Sequence, residues 1–408
     1  MPNKKNSLLE NLQELCRVPS PSLHEREAVK VLAKKIRELG FEPLEDDAGQ
    51  RLGGDCGNII VKVPGTGKGP RLLLTAHMDT VERPGAQPAK PVVDGDWVTR
   101  EGGGILGADD KTGVVVLLEV LSRLAKGDKK HGDLVFAFTV AEEMQCLGAA
   151  ELDPDIYGDL DAGVALDYSS PDEIVVAAPT KVTFRITVHG IAGHAAFPEK
   201  KINAAHVMAQ TLARLPVGRL DEFTTTNLGI MHSGTAINVI PGTAYAEYEI
   251  RSHRKDVLDF HVKRVIGTIE GVVRENRVFS TAKSATGMGG DPLKVTDENG
   301  IKIYHSQVDV DVEVGYEGYA VPEDSRLVQR MKSAVAAAGL EPRIITAQGG
   351  SDANIFNRRG LESVVLGCGM YGAHGVKERA NMKDMANCVE VLMHLVADSR
   401  VSLRRKTK

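Results

Sequence analysis

Five short segments of the chain carry residue types that do hydrolytic or metal chemistry. In TAHMDTV, Thr75-Ala76-His77-Met78-Asp79-Thr80-Val81 sets His77 and Asp79 two residues apart at the end of an apolar run. In an extended chain residues i and i+2 share a face. A metal-ligating histidine commonly has a carboxylate partner that fixes its tautomer and raises its basicity. A polar strand end entering a loop explains the same pair. The second segment, GGGILGADDKTG, brings glycines to Asp109 and Asp110 at the start of a helical pattern. Two acids there also suit the positive end of a helix dipole. The G-x-x-x-x-G-K-[ST] spacing of a phosphate loop is missing, which excludes that use. In the third, FAFTVAEEMQCLGA, Glu142 and Glu143 follow a strongly apolar run. Adjacent carboxylates after a buried run are costly unless paired or metal-bound. They point in different directions, so one can bind metal while its neighbour faces substrate; an acidic helix start is the plain alternative. Asp167 closes AGVALD, and His374 lies in the glycine-rich GCGMYGAHG after ESVVLG.

The elements that must position these residues read as follows. NIIVKV at 58–63, RLLLTA at 71–76, DLVFAFTV at 133–140, AGVAL at 162–166 and ESVVLG at 362–367 are continuous apolar runs. Such runs suit strands covered on both faces. Helical patterns separate them, at 112–124 and 324–338 and earlier at 22–39, where Ser22 and Glu25 form a capping box and Gly40 a stop. Strands alternating with helices give an α/β fold, a mixed sheet with helices on both faces. All five chemical segments then fall just past the carboxyl ends of strands, where open α/β sheets carry their sites. The middle differs. KVTFRITVHG at 181–190 alternates with period two, 203–215 is helical, TTNLGIMH and INVIPGTAYAEYEIRS are strands, 254–275 is helical, and VDVDVEVGYEGYA at 308–320 is a last alternating strand. The order β-α-β-β-α-β is the ferredoxin-like pattern. Residues 276–307 read as an insertion before that strand. The chain therefore divides into a discontinuous domain, 1–179 with 319–408, and an α+β domain inserted at 180–318.

Composition sets the class. Of 408 residues, 42% are apolar and 26% charged, with a net charge of −5, which is ordinary for a globular protein. The charges are interspersed, against a nucleic-acid partner. The short basic end, 404–408, reads as a solvated tail. The start MPNKKNSLLENLQELC lacks a long apolar core, so no signal peptide is expected. No run approaches the roughly 18 apolar residues of a membrane span. The five cysteines are odd in number and form no C-x-x-C pair, which points to a reducing cytoplasm and away from disulfides and thiolate zinc sites.

Two histidines and at least three carboxylates at strand ends suit two divalent ions sharing a bridging carboxylate. At this point HMDTV, ILGADDKTG, AEEMQCLGA, ALDYSS, GIAGHAAFP, INVIPG, GGSDANIF and HGVKE, in that order, resemble the two-zinc exopeptidases that include tripeptidase T, carboxypeptidase G and succinyl-diaminopimelate desuccinylase. The likeness spans the chain and is nearest the tripeptidase T branch. It implies that His77 and Asp167 hold one ion, Glu143 and His374 the other, and that Asp109 rather than Asp110 bridges them. It implies zinc, with cobalt or manganese as alternatives, Asp79 as the partner of His77, and Glu142 as general base acting on a metal-activated water. The inserted domain becomes a lid, often dimerising, that brings His194, Asn238 and Arg251 to substrate; His189, His206 and His232 stay structural. One departure stands out. Tripeptidase T has arginine directly before its Gly-Gly-Thr-Asp segment, whereas Gln348 precedes Gly349-Gly350-Ser351-Asp352 here. Arginine is the natural bidentate partner of a carboxylate. The expected activity is tripeptidase-like aminopeptidase cleavage of short peptides. Deacylation of N-acyl amino acids on the same two-metal site is the alternative; a two-metal phosphoesterase and a non-catalytic binding relative are the more distant rivals.

Overall fold

The computed structural model describes residues 4–82, 84–280, 294–296, 302–305 and 307–397. The basic end at 404–408 and most of the 276–307 stretch lie outside the described residues. The chain forms two compact units, Met1–Ala178 with Tyr316–Lys408, and Pro179–Gly315. The sequence set these boundaries one and three residues later.

The larger unit is built on a nine-stranded mixed sheet. At its centre four strands run as parallel neighbours, in the order Leu134–Thr139, Leu72–His77, Ala162–Tyr168 and Ser363–Gly367. Ile59–Val63 joins one side antiparallel, and Glu173–Ala178 the other. Alternation along Leu72–His77 sends Leu72, Leu74 and Ala76 to one face and Leu73 to the other. The first face packs on helices Lys4–Cys16, Arg26–Glu38, Ala108–Ala125, Arg326–Ala337 and Met382–Val396, contributing Leu12, Leu32, Val115, Met331 and Val389 among others. The second packs on Leu147–Glu151 and Asp352–Arg358 through Ala149, Ile355 and Phe356. This two-sided cover is why the central strands read as unbroken apolar runs: every residue of Leu72–His77 and Leu134–Thr139 is buried. A separate four-stranded antiparallel sheet pairs Met370–Tyr371, Arg379–Asn381, Trp97–Arg100 and Pro91–Asp94. Its hairpin at 91–100 is too short and mixed in character to register as apolar strands.

The smaller unit carries strands Thr180–His189, Thr224–Ser233, Thr243–Ser252 and Gln307–Tyr316, with helices Ala204–Arg214 and Lys255–Glu275. Its sheet order, Thr224–Ser233 next to Thr243–Ser252, then Thr180–His189, then Gln307–Tyr316, is that of a ferredoxin-like fold. Inward residues Phe184, Ile186, Ala246, Tyr248 and Ile250 meet Val207, Met208, Val265 and Ile269 from the two helices.

Three expectations need correction. The run INVIPGTAYAEYEIRS is two strands, because Pro241 has no N–H to continue a ladder. Val239–Ile240 pairs instead with Gly193–His194, and Thr243–Ser252 joins the main sheet. The run at 308–320 also divides. Gln307–Tyr316 stays with the smaller unit, while Tyr319–Ala320 pairs with Glu173–Ala178 in the larger. The helix expected from residue 22 begins at Arg26, with no side-chain cap bond at its start; Ser22 and Glu25 are used elsewhere.

Candidate metal centre

His77 is the last residue of its strand, 2% exposed. Its Nδ1 lies 3.1 Å from the Asp79 carbonyl oxygen and 3.3 Å from Asp79 Oδ1. That leaves Nε2 facing Asp109 Oδ1 at 3.0 Å, with Asp167 Oδ1 and Glu142 Oε2 each at 4.0 Å. Asp109 opens the helix Ala108–Ala125, after Gly107, whose φ of 80° a side chain would disfavour. Its second oxygen, Oδ2, lies 3.2 Å from His374 Nε2, which is also 2.9 Å from Glu143 Oε1. The two oxygens of one carboxylate thus divide between two groups of donors: His77, Asp109 and Asp167 on one side, Asp109, Glu143 and His374 on the other. Asp110 joins neither. Its carboxylate accepts instead from Gly113 N, within the same helix, and from His77 N.

The supporting hydrogen bonds come from residues far away in sequence. Asp79 is fully buried and accepts from Ser22 Oγ at 2.6 Å and from the backbone N–H of Glu142 and Glu143 at 2.9 and 3.2 Å. It therefore orients His77 and fixes the turn bearing both glutamates. Glu25 Oε1 accepts from Ala141 N, one residue earlier. Glu378 accepts from the N–H groups of Gly107 and Asp109, both at 2.9 Å. Asp352 takes a 2.6 Å bond from Thr139 Oγ1. Sequence reasoning named Asp79 as the partner of His77 and missed the other uses. Glu378 and Asp352 stand inside HGVKE and GGSDANIF, a signal that was available; Ser22 and Glu25 imitated a helix cap.

Electrostatics follow from crowding acids in a buried place. Burial pulls the His77 pKa down, but bonds to Asp109 and Asp79 outweigh it and hold it well above the ordinary range. Asp109 and Glu143 push His374 up to about 10. Burial opposes ionisation of Asp109, yet the two histidines win and keep its carboxyl low. Burial, reinforced by neighbouring acids, raises Asp167 and Glu142 far above normal carboxyls, and lifts Asp352 to about 6. Two imidazoles and three carboxylates in two overlapping groups, sharing one acid, are the donor chemistry of a pair of borderline divalent cations. The residues present fit such a pair.

His194, Asn238 and Arg251 belong to the smaller unit. His194 and Asn238 are neighbours across the Gly193–His194/Val239–Ile240 pair, where Ala195 N donates to the Asn238 carbonyl at 2.9 Å. Both side chains are exposed. Arg251 lies on the main sheet of that unit, its Nε 2.9 Å from Glu249 Oε1.

Comparison with known proteins gives a consistent picture. The model of peptidase family M20/M25/M40 matches residues 73–398. A Bacillus subtilis (strain 168) protein, YqjE, is 31% identical over 98% of this chain and 100% of its own length. The crystal structure of the aminopeptidase PepT from Bacillus cereus ATCC 10987 superposes with a TM-score of 0.77 at 30% identity, covering 97% of this chain and 98% of that one. A tripeptidase from Staphylococcus aureus subsp. aureus Mu50 gives a TM-score of 0.82 at 29% identity over the same shares.

Proposed function

The chain belongs to peptidase family M20/M25/M40 and is a metal-binding hydrolase of peptide bonds; we propose that it is a two-metal aminopeptidase of short, unblocked peptides with Glu142 as its general base. The observation that carries this reading is the divided carboxylate of Asp109, with one oxygen 3.0 Å from His77 and the other 3.2 Å from His374. His77 and Asp167 would hold one ion, Glu143 and His374 the other, and Asp109 would serve both. Zinc is the first choice for this mixed nitrogen and oxygen set, with cobalt or manganese as substitutes. When bound, such ions polarise the scissile carbonyl and acidify an attacking water.

The chain's own groups do the rest. Asp79 holds His77 in the tautomer that leaves Nε2 free as a ligand. Glu142 points Oε2 toward the His77 side of the centre and accepts the proton of the attacking water, then delivers it to the leaving amine. Burial raises its pKa above that of an ordinary carboxyl. His194 and Asn238, exposed on the smaller unit, supply hydrogen bonds to the oxyanion and substrate, from the same chain or from a second copy in a homodimer. The five cysteines are free and buried, in keeping with work in a reducing cytoplasm. Among the described residues no helix is long and apolar enough to cross a membrane.

The aminopeptidase and tripeptidase likenesses support free peptides as substrates. Gln348, standing before Gly349-Gly350 where tripeptidase T has arginine, the natural bidentate partner of a carboxylate, weakens strict tripeptide specificity and keeps deacylation of N-acyl amino acids as the second reading. A screen of di- and tripeptides against N-acyl amino acids, on zinc- and cobalt-loaded protein, separates the two. Higher kcat/KM on the free peptides is expected. Higher kcat/KM on any N-acyl amino acid moves the enzyme to the deacylase reading.

A further inference from the structure

The turn after Glu143 is folded in an uncommon way. Ala141, Gln145 and Cys146 all have positive φ, at 49°, 71° and 59°. Non-glycine residues seldom take that conformation, and where they do the surroundings enforce it, commonly at functional sites. Here the enforcement is visible. Cys146 N donates to the Glu142 carbonyl at 2.7 Å, Leu147 N donates to the Ala141 carbonyl at 3.1 Å, and Ala141 N is tied to Glu25. Gly148 packs so closely that an added Cβ would lie 2.0 Å from the Val140 carbonyl oxygen. The result brings the Cys146 side chain back over Glu142, with Sγ 3.2 Å from Oε1.

The two oxygens of Glu142 therefore have different surroundings. Oε1 accepts from the thiol; Oε2 faces His77 Nε2 at 4.0 Å. Behind them, Glu142, Cys146 and Asp352 form a fully buried trio whose ligand-type atoms lie within 4.8 Å of one another. Asp352 Oδ1 has no hydrogen-bond partner there. With one acid already facing Glu142 from that side, an anionic neighbour at 146 would repel it, whereas a neutral donor steadies it.

We propose that Cys146 is a positioning residue for the general base: its thiol donates to Glu142 Oε1, locks the carboxyl rotamer, and reserves Oε2 for the water. This rests on the reading of Glu142 as the base. Burial pushes the Cys146 thiol well above its ordinary range, as does the charge of Glu142, so the proton that makes the bond stays on sulfur. A side chain that fixes where a base points acts on the chemical step and not on substrate capture, because misplacement of a reacting group raises the barrier to reaction.

The experiment compares Cys146→Ala, Cys146→Val and Cys146→Ser in the full-length, zinc-loaded protein on trialanine, with Glu142→Gln measured alongside. Alanine and valine remove the donor; valine keeps apolar bulk; serine keeps a donor. Loss of one hydrogen bond to a charged group predicts kcat down by on the order of tenfold in both Ala and Val, with KM and metal content unchanged, and a serine variant within about threefold of the parent. A packing role gives the opposite ranking, with Val near the parent and Ser worst, and that ranking overturns the proposal. Parent-like kcat in both Ala and Val, beside an inactive Glu142→Gln, also overturns it while leaving the base in place. Activity persisting in Glu142→Gln instead removes the reading on which it rests.

Discussion

The centre in the larger unit and the His194–Asn238 pair in the smaller one are built on opposite terms. The centre is braced from behind by groups distant in sequence and close in space. Ser22 and the Glu142 and Glu143 amides hold Asp79, Glu378 holds the Asp109 amide, and Asp79 holds His77. His194 is exposed, and its Nδ1 accepts from Ala196 N, two residues away at 3.1 Å. Phe197, 69% exposed, stands beside it with ring centroids 5.7 Å apart. A divalent ion tolerates little error in ligand distance, so its donors need a rigid second layer. A substrate-side donor used only during turnover has no such demand, and exposure leaves it free to adjust. The two regions should accordingly fail differently when mutated: the first through metal binding, the second through kcat alone.

The strongest test removes the shared acid. Asp109→Ala should cost both metal sites and essentially all activity, because one carboxylate serves both groups of donors. The parent, saturated with zinc, should give about two equivalents by elemental analysis, as a two-metal site requires. One equivalent at saturation, or an Asp109→Ala protein that still holds two, breaks the centre as described. Chelation should lower the Tm of the parent, since a ligand present at 100 times its Kd stabilises by about 2.7 kcal/mol, and should leave the Tm of Asp109→Ala unmoved.

Glu142→Gln comes next. The amide keeps the shape of the side chain and cannot take a proton, so turnover should fall about 10²–10⁴-fold with both ions retained. Metal loss in this variant would mean that Glu142 ligates, and would exchange its role with that of Glu143. For the other region, His194→Ala should lower kcat about 10²–10³-fold, the usual cost of one oxyanion donor, with metal content and Tm as in the parent. If His194 acts from a second subunit, mixing His194→Ala with Glu142→Gln should restore part of the activity through hybrid dimers. Proven subunit exchange without restoration rejects action in trans; full activity of His194→Ala rejects the role.

The same contrast explains what the sequence disclosed. The central strands were legible because burial on both faces leaves a plain mark, a mainly apolar run such as Leu72–His77 that opens Leu72-Leu73-Leu74 and ends on His77. His77 and Glu142 stood out for the same reason, as costly side chains at the ends of such runs; Asp167 and the loop residue His374 were bland alone and drew notice only beside the other segments. Hairpin 91–100 left no comparable mark, since a half-exposed pair of short strands needs neither apolar continuity nor strict alternation. The break at 317–318 was hidden because both halves of the run suit strands, and only pairing partners tell them apart. Ser22 and Glu25 show the deeper limit. A serine three residues before a glutamate satisfies a local rule, and nothing in that spacing reveals a carboxylate 57 residues away that binds the serine instead.

That serine supplies the mildest test of the comparison. Ser22→Ala deletes one hydroxyl, partly buried, 2.6 Å from Asp79 Oδ2. Asp79 would keep its bonds from the Glu142 and Glu143 amides, so the fold has no reason to fail. What it loses is one of the three donors that fix the plane of its carboxyl, and with it some of the orientation passed to His77. Outer partners of metal ligands typically matter by about 10–100-fold in affinity; with two donors of three left, the low end of that range is expected, about tenfold weaker zinc. The deficit should disappear at saturating zinc, where kcat returns near the parent value, which no loss of a catalytic group would allow. If Ser22 were the helix cap that its spacing suggests, Ser22→Ala would instead lower Tm by the equivalent of about 1 kcal/mol and leave zinc affinity untouched. Zinc titration and thermal melting of this one variant thus decide whether Ser22 belongs to the helix or to the centre.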